Sequence, residues 1–250
     1  MKWESVSDIG KVRDLNEDYA VGKQIADPPC ILGIVCDGLG GCLAGEVASK
    51  EAAEAMKDYF LAGFKKLEDP LSGDSVRNLM LEAVQAANEK VWELSSEVDE
   101  YTGMGTTLTS VWADEQQAVW VSVGDSRGYV FREGTLEQVT EDQSYVWDLY
   151  REGMITKEQM VEHPMNHLLN VAVGSKEKLY EQDICIRSTE LSSGDIIMLC
   201  SDGLTDVIYD SELEEILTAH DDLERCCREM VDQANSRSGK DNITILLIRA

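Results

Sequence analysis

The 250-residue sequence predicts an α+β fold of layered sheets and helices. Strand-like runs come in clusters joined by short turns, and two long amphipathic helices sit together between two such clusters. Strands and helices also fail to alternate in the regular way that βαβ units require.

Three short strands are expected near 2–9, 18–25 and 30–36. The third, Ile31 to Cys36, is apolar apart from one glycine, as befits a strand buried on both faces. Helices follow at about 44–67 and 74–97. In the first, Val47, Ala48, Ala52, Ala55, Met56, Tyr59 and Phe60 recur at helical spacing, and in the second Leu79, Val84, Ala87, Val91 and Leu94 do so. Runs at 105–113, 117–123 and 127–132, rich in Thr, Val and Trp, form a meander punctuated by Asp114-Glu115 and Gly124-Asp125. A polar, partly helical stretch covers about 140–180. The chain closes with apolar strands at 195–200 and 242–249, separated by helices near 210–218 and 221–235. No linker-like or low-complexity tract interrupts this order, so residues 1–250 are expected to form a single domain.

Composition narrows the function. Hydrophobic residues at 43% and charged residues at 28% are ordinary for a globular enzyme. No run approaches the roughly 18–20 apolar residues of a membrane span, and the stretch from Met1 to Gly10 has no apolar leader segment. The net charge of −26 excludes direct nucleic-acid binding, because a duplex would be repelled. The seven cysteines are odd in number and lack Cys-x-x-Cys spacing, which suits reduced thiols in a soluble cytoplasmic protein.

Candidate chemistry lies where strands end in acids. Ile34 to Asp37 and Met198 to Asp202 each run from an apolar strand into Asp-Gly, and Asp241 stands just before the last strand. Any one of these is an ordinary turn signal. Together they suggest carboxylates held by a rigid core, which could not all remain ionised side by side without a cation. Mg²⁺ or Mn²⁺, which prefer oxygen ligands and keep bound waters, are the natural partners. The glycine-rich stretch after Asp37 is not a dinucleotide loop, since Leu43 takes the third glycine position, and no P-loop is present. Arg13, a few residues before Glu17 and Asp18, offers the planar fork suited to a phosphate.

Six collinear segments stand out: Arg13 to Asp18, Val35 to Gly41 with Gly45-Glu46, Met104 to Thr107, Val123 to Arg127, Leu199 to Leu204 and Lys240 to Thr244. In this order they resemble the PP2C (PPM) family of metal-dependent Ser/Thr protein phosphatases, particularly its compact bacterial members. The resemblance implies a central sandwich of two antiparallel β-sheets flanked by α-helices on both sides, with a flap-like segment at about 140–180. It implies that Asp37 bridges two Mn²⁺ or Mg²⁺ ions, that the Gly38 carbonyl binds one of them, and that Asp202 and Asp241 bind the other. Glu17 and Asp18 would act through bound waters, Asp125 with Asp202 would hold a third, weaker ion, and Arg13 would hold the substrate phosphate. Arg13, Asp37, Asp202 and Asp241 are thus the implied catalytic set. Hydrolysis of phosphoserine and phosphothreonine would use a metal-activated water, without a phospho-enzyme.

The implied partners are a bacterial Ser/Thr protein kinase and its phosphorylated targets, with the phosphatase acting as a monomer. Met104 to Thr107 is expected to serve packing. Leu39 stands where animal relatives have a histidine proposed as general acid, leaving that proton to come from water. Cys42, Met165 and His167 also depart from common family residues and bear on substrate preference. His163 and His167 are separated by Pro164 and do not form a zinc motif. The competing readings are a catalytically silent phosphoprotein-binding module of the same fold and an acidic Ca²⁺ binder. Retention of Asp37, Asp202, Asp241 and Arg13 argues against the first, and the absence of an EF-hand loop argues against the second.

Overall fold

β3 (Pro29–Asp37) is buried along almost its whole length, and its two faces serve different neighbours. Leu32, Ile34 and Cys36 pack towards helices, whereas Ile31 and Val35 pack towards a second sheet. This two-sided burial explains the uninterrupted apolar run and fixes the layering of the molecule. The computed structural model describes residues 1–39, 44–161 and 163–250. The glycine-rich stretch with Cys42, residues 40–43, lies outside the described residues.

One antiparallel sheet has the order β2-β3-β4-β5-β8, using β2 (Asp18–Ala26), β4 (Leu108–Ala113), β5 (Gln117–Val123) and β8 (Cys185–Glu190). The other has the order β1-β10-β9-β6-β7, from β1 (Lys2–Asp8), β6 (Arg127–Arg132), β7 (Thr135–Gln138), β9 (Ile196–Cys200) and β10 (Ile243–Arg249). Ile31, Val35, Val111, Trp120, Leu199 and Leu246 fill the space between the sheets. Helices α1 (Gly45–Phe64) and α2 (Gly73–Glu97) cover the outer face of the first sheet. The outer face of the second is covered by α6 (Asp210–Ala219) and α7 (Leu223–Arg237). Among the described residues three short α-helices also occur: α3 (Tyr145–Arg151), α4 (Lys157–Val161) and α5 (Asp202–Thr205). The expected sandwich, flanked by helices on both sides, is the observed fold.

The expected strands and helices fall within a few residues of those observed, and two strands were not anticipated. β7 and β8 each lie at one edge of their sheet and read Thr-Leu-Glu-Gln and Cys-Ile-Arg-Ser-Thr-Glu. A strand with one neighbour and much exposed surface needs few apolar residues, so neither carries a strong pattern. The turn before β7 did carry a signal. Glu133 and Gly134 both adopt positive φ and close a two-residue hairpin between Arg132 and Thr135.

Leu246 is fully buried between the sheets. Leu246→Ala is expected to lower unfolding free energy by about 2–5 kcal/mol, read from the denaturant midpoint.

Candidate active site

Asp18 and Asp37 face each other directly as a cross-strand pair of β2 and β3. Like charges in that relation oppose pairing. Asp202 opens α5 immediately behind β9, and Asp241 stands just before β10, the neighbouring strand. Asp125 lies in the turn between β5 and β6. The Asp37 carboxyl is held well above the usual carboxylate range by burial and by the charges of Asp18, Asp202, Asp125 and Asp241. Asp125 is raised likewise by burial and by Asp202 and Asp142. Burial and Asp241 raise Asp202. Asp18 is pushed up to about 7 by burial, against the hydrogen bond from Ser201 and with Asp202 and Asp241 adding to the shift.

Little positive charge offsets this crowd. Arg13 and Arg127 are the cations that act on Asp202, and Arg127 is already engaged. Its Nε lies 3.0 Å from both oxygens of buried Asp142 and its Nη2 lies 2.7 Å from one of them. Asp18 Oδ1 and Asp202 Oδ1 are buried with no hydrogen-bond partner. Orphaned carboxylate oxygens and uncompensated charge fit hard divalent cations, which accept such oxygens and fill their remaining positions with water. Among the described residues no three His, Cys, Asp or Glu side chains form a ready-made cage for one ion. The donor set is therefore open, with carbonyl and solvent oxygens needed beside the carboxylates.

Main-chain approach at Gly38 supplies one such carbonyl region. A Cβ there would lie 2.2 Å from the Gly45 carbonyl oxygen at the start of α1, so only glycine allows the helix to close on the strand end. Glu17 packs against Gly45 from the other side, and its own carbonyl accepts from the Gly38 N–H at 3.0 Å.

Arg13 and Glu17 sit on the 9–17 loop, which Asn242 clamps to the base of β10. Asn242 Nδ2 donates to the carbonyls of Ile9 and Leu15 at 2.9 and 3.0 Å, and its Oδ1 accepts from the Glu17 N–H at 2.8 Å. Arg13 Nη2 donates to Asp241 Oδ2 at 2.8 Å, and Nη1 lies 3.6 Å from Glu17. The Arg13 side chain is 38% exposed, so it stands at the solvent edge of the acids, and its fork carries more donors than these two contacts use.

The threonines expected to serve packing do more. Asp37 N–H donates to Thr107 Oγ1 at 2.9 Å, and the Asp37 carbonyl accepts from Thr106 Oγ1 and Thr107 N–H, both at 2.8 Å. Thr106 also exchanges main-chain hydrogen bonds with Val173 at 3.1 and 2.9 Å, which pins the end of the 140–180 segment to the strand beside Asp37. Asn88 of α2 reinforces that anchor by bonding Gly174, Lys176 and Glu177. A cavity of about 450 Å³ opens between this segment and α6, bordered by Asp125, Asp202, Val146, Met160 and Tyr209. Lys157 of α4 crosses it to Asp210 at 2.9 Å.

The structure thus gathers Arg13, Glu17, Asp18, Asp37, Gly38, Asp202 and Asp241 at one rim of the sandwich, with Asp125 beside Asp202 in the adjoining cavity. Asp206 was missed. It follows Asp202 by four residues, so one helical turn returns it to the same side, and burial with the Asp202 charge pushes it up to about 7. That spacing was the available signal. Asn242, Asp142 and the paired threonines could not be assigned roles from sequence, because their partners are distant along the chain.

The family model described as Protein phosphatase 2C matches residues 11–247. The serine/threonine phosphatase Stp of Listeria monocytogenes is 36% identical over 248 residues, covering 99% of this chain and 95% of that protein. The crystal structure of Stp1 from Staphylococcus aureus superposes with a TM-score of 0.90 at 30% identity, covering 100% of this chain and 94% of that one. The catalytic domain of the serine/threonine protein phosphatase PstP, in complex with 2 manganese ions, superposes with a TM-score of 0.79 at 31% identity, covering 98% and 96% of the two chains. With its sandwich, its acid-lined rim and this similarity along almost the whole chain, the protein belongs to the protein phosphatase 2C family as a bacterial-type protein-serine/threonine phosphatase.

Proposed function

We infer that Asp37, the Gly38 carbonyl, Asp202 and Asp241 hold two divalent cations, Mn²⁺ or Mg²⁺, with which this phosphatase hydrolyses phosphoserine and phosphothreonine esters. The observation that carries the reading is the uncompensated crowding of Asp18, Asp37, Asp202 and Asp241, two of which keep a buried oxygen without a partner. The two manganese ions named for PstP support the same count. Asp125, aided by Asp206, is the place for a third, weaker ion. Glu17 and Asp18 act through intervening waters.

When bound, such ions supply Lewis-acid charge and lower the pKa of water enough to furnish a nucleophile near neutral pH. The chain's own contribution is positional. Asp37, Asp202 and Asp241 fix where positive charge resides, each on a strand end braced by the core. Arg13 turns its free donors to the phosphoryl oxygens and offsets charge as it develops there. Its bond to Asp241 ties phosphate binding to the acid rim and restricts the side chain before substrate arrives. Leu39 offers no proton, so the departing serine or threonine oxygen takes its proton from water.

The 140–180 segment acts as a flap over the cavity beside Asp125, within a single phosphatase domain spanning residues 1–250. The proposed working form is a monomer. The physiological targets are phosphorylated proteins, including a Ser/Thr kinase that the phosphatase opposes. Among the described residues no helix is long and apolar enough to cross a membrane. Burial raises the free thiols of Cys30 and Cys200 to about 11 and about 12, which keeps them protonated and poorly reactive. The cytoplasm is the proposed location, from the odd cysteine count without Cys-x-x-Cys spacing.

Four measurements test this reading. Asp37→Ala and Asp202→Ala are expected to lower kcat on a phosphopeptide by about 10²–10³ or more while circular dichroism stays native; near wild-type turnover in metal-defined buffer would remove either residue from the site. Arg13→Ala should lower kcat/KM by about 10–100-fold, the worth of charge-assisted hydrogen bonds to a phosphate, and an unchanged kcat/KM would exclude it. Chelation should abolish p-nitrophenyl phosphate hydrolysis, with recovery on adding Mn²⁺. In the metal-free protein, Asp37→Asn relieves repulsion against Asp18 and should raise Tm by about 2–4 °C while activity with Mn²⁺ is lost. A lowered Tm would show that the acids are not in conflict.

A further inference from the structure

The N–H of Asp37 is satisfied by a side chain instead of the sheet. The β3–β4 ladder runs only as far as the Val35–Thr109 pair, and beyond it the Asp37 N–H donates to Thr107 Oγ1 at 2.9 Å. The same hydroxyl lies 2.7 Å from Ser126 Oγ. Thr109 Oγ1 donates to the Ser126 carbonyl at 2.6 Å and fixes that residue's backbone as well. Thr107 and Ser126 are 1% and 2% exposed, so neither hydroxyl can exchange these partners for solvent. Gly124 lets the turn come this close. It has φ of +100°, and a Cβ would stand 2.8 Å from Thr107 Cγ2.

We propose that the buried Thr107–Ser126 hydroxyl pair is a positioning device for the acid rim: it locks the backbone of Asp37, on one sheet, to the turn carrying Asp125 and leading into the other. Ser126 follows Asp125 directly and precedes Arg127, the first residue of β6. Displacement of either acid is therefore transmitted to the other through two short hydrogen bonds in a dry interior, where such bonds are stiff. A valine at 107 would fill nearly the same volume and satisfy the strand, yet it would leave the Asp37 N–H without an acceptor. Packing alone does not call for a hydroxyl here; holding Asp37 in register with Asp125 does. Groups that orient metal-binding side chains in this indirect way commonly control affinity for the ion.

The inference rests on the proposed metal-binding role of Asp37, and the test separates the two. Mn²⁺ binding to metal-free protein is measured by isothermal titration calorimetry for wild type, Thr107→Val, Thr107→Ser, Ser126→Ala, Thr107→Val/Ser126→Ala and Asp37→Ala, with kcat and KM on p-nitrophenyl phosphate alongside. Thr107→Val is expected to weaken Mn²⁺ affinity by about 10–100-fold and to lower kcat with KM little changed. Thr107→Ser should restore both, and the double variant should be no worse than Thr107→Val alone, because the two hydroxyls act as one unit. Wild-type affinity in Thr107→Val, or a Thr107→Ser variant as impaired as Thr107→Val, overturns the proposal, the latter by showing that the methyl group matters instead. If Thr107→Val fails to fold, Ser126→Ala carries the test, and wild-type affinity there overturns it equally. Loss of binding in Asp37→Ala with none in the hydroxyl variants defeats only this inference. Retention of binding in Asp37→Ala defeats the metal site on which it rests.

Discussion

The organising constraint is electrostatic: carboxylates are held together, largely out of water, where they repel one another. Asp18 opposite Asp37 is its sharpest form, because a cross-strand pair fixes the separation and leaves neither residue free to swing away without breaking register. Left to itself, such a cluster would take up protons or push the strand ends apart. It persists because the apolar interior behind it is continuous. β3, β9 and β10 are buried on both faces, and the helices outside each sheet close that core. The fold tolerates a local electrostatic cost in exchange for a rim on which cations can replace the missing charge.

The same logic accounts for polar groups outside the expected ligand set. Asp142 neutralises Arg127 so that a largely enclosed guanidinium can stand beside Asp125 without being left unpaired. Asn242 spends both ends of its amide on the 9–17 loop, which gives Arg13 a fixed base although it lies on irregular chain. Thr106 joins Asp37 to Val173, so the strand that carries the acid and the segment walling the neighbouring cavity share an anchor. Each device converts a loop residue into one held almost as firmly as a strand residue.

What could be read from the sequence divides along the same line. The layers were legible because burial leaves a periodic record: the apolar run at Ile31 to Cys36 and the helical spacing from Val47 to Phe60 name their structures directly. The convergence of Asp37, Asp202 and Asp241 was suggested by strand-end glycines and by family resemblance, since nothing local to each segment reveals what faces it. β7 and β8 were missed because an edge strand needs little apolar character. Thr107 was assigned to packing because a threonine in a strand looks the same whether its methyl or its hydroxyl matters. The partners of its hydroxyl distinguish the two: the Asp37 N–H at 2.9 Å and Ser126 Oγ, nineteen residues away along the chain, at 2.7 Å.

The net charge of −26 poses a difficulty for a phosphatase, whose substrates are anions. At physiological ionic strength the Debye length is about 8 Å, so acids spread over the outer helices are screened before they can govern what happens at the rim. The groups within that distance decide the outcome, and in the metal-free protein they too are mostly acidic: the cations that act on Asp202 are Arg13 and Arg127, which Asp241 and Asp142 already engage. A phosphate approaching that surface meets net repulsion. Two divalent cations held by Asp37, Asp202 and Asp241 would reverse the local sign and release Arg13's donors to act with them. On this argument bound metal ions would do more than activate water: they would make the site attractive to substrate at all, and phosphate affinity would follow metal occupancy more steeply than it follows any single side chain.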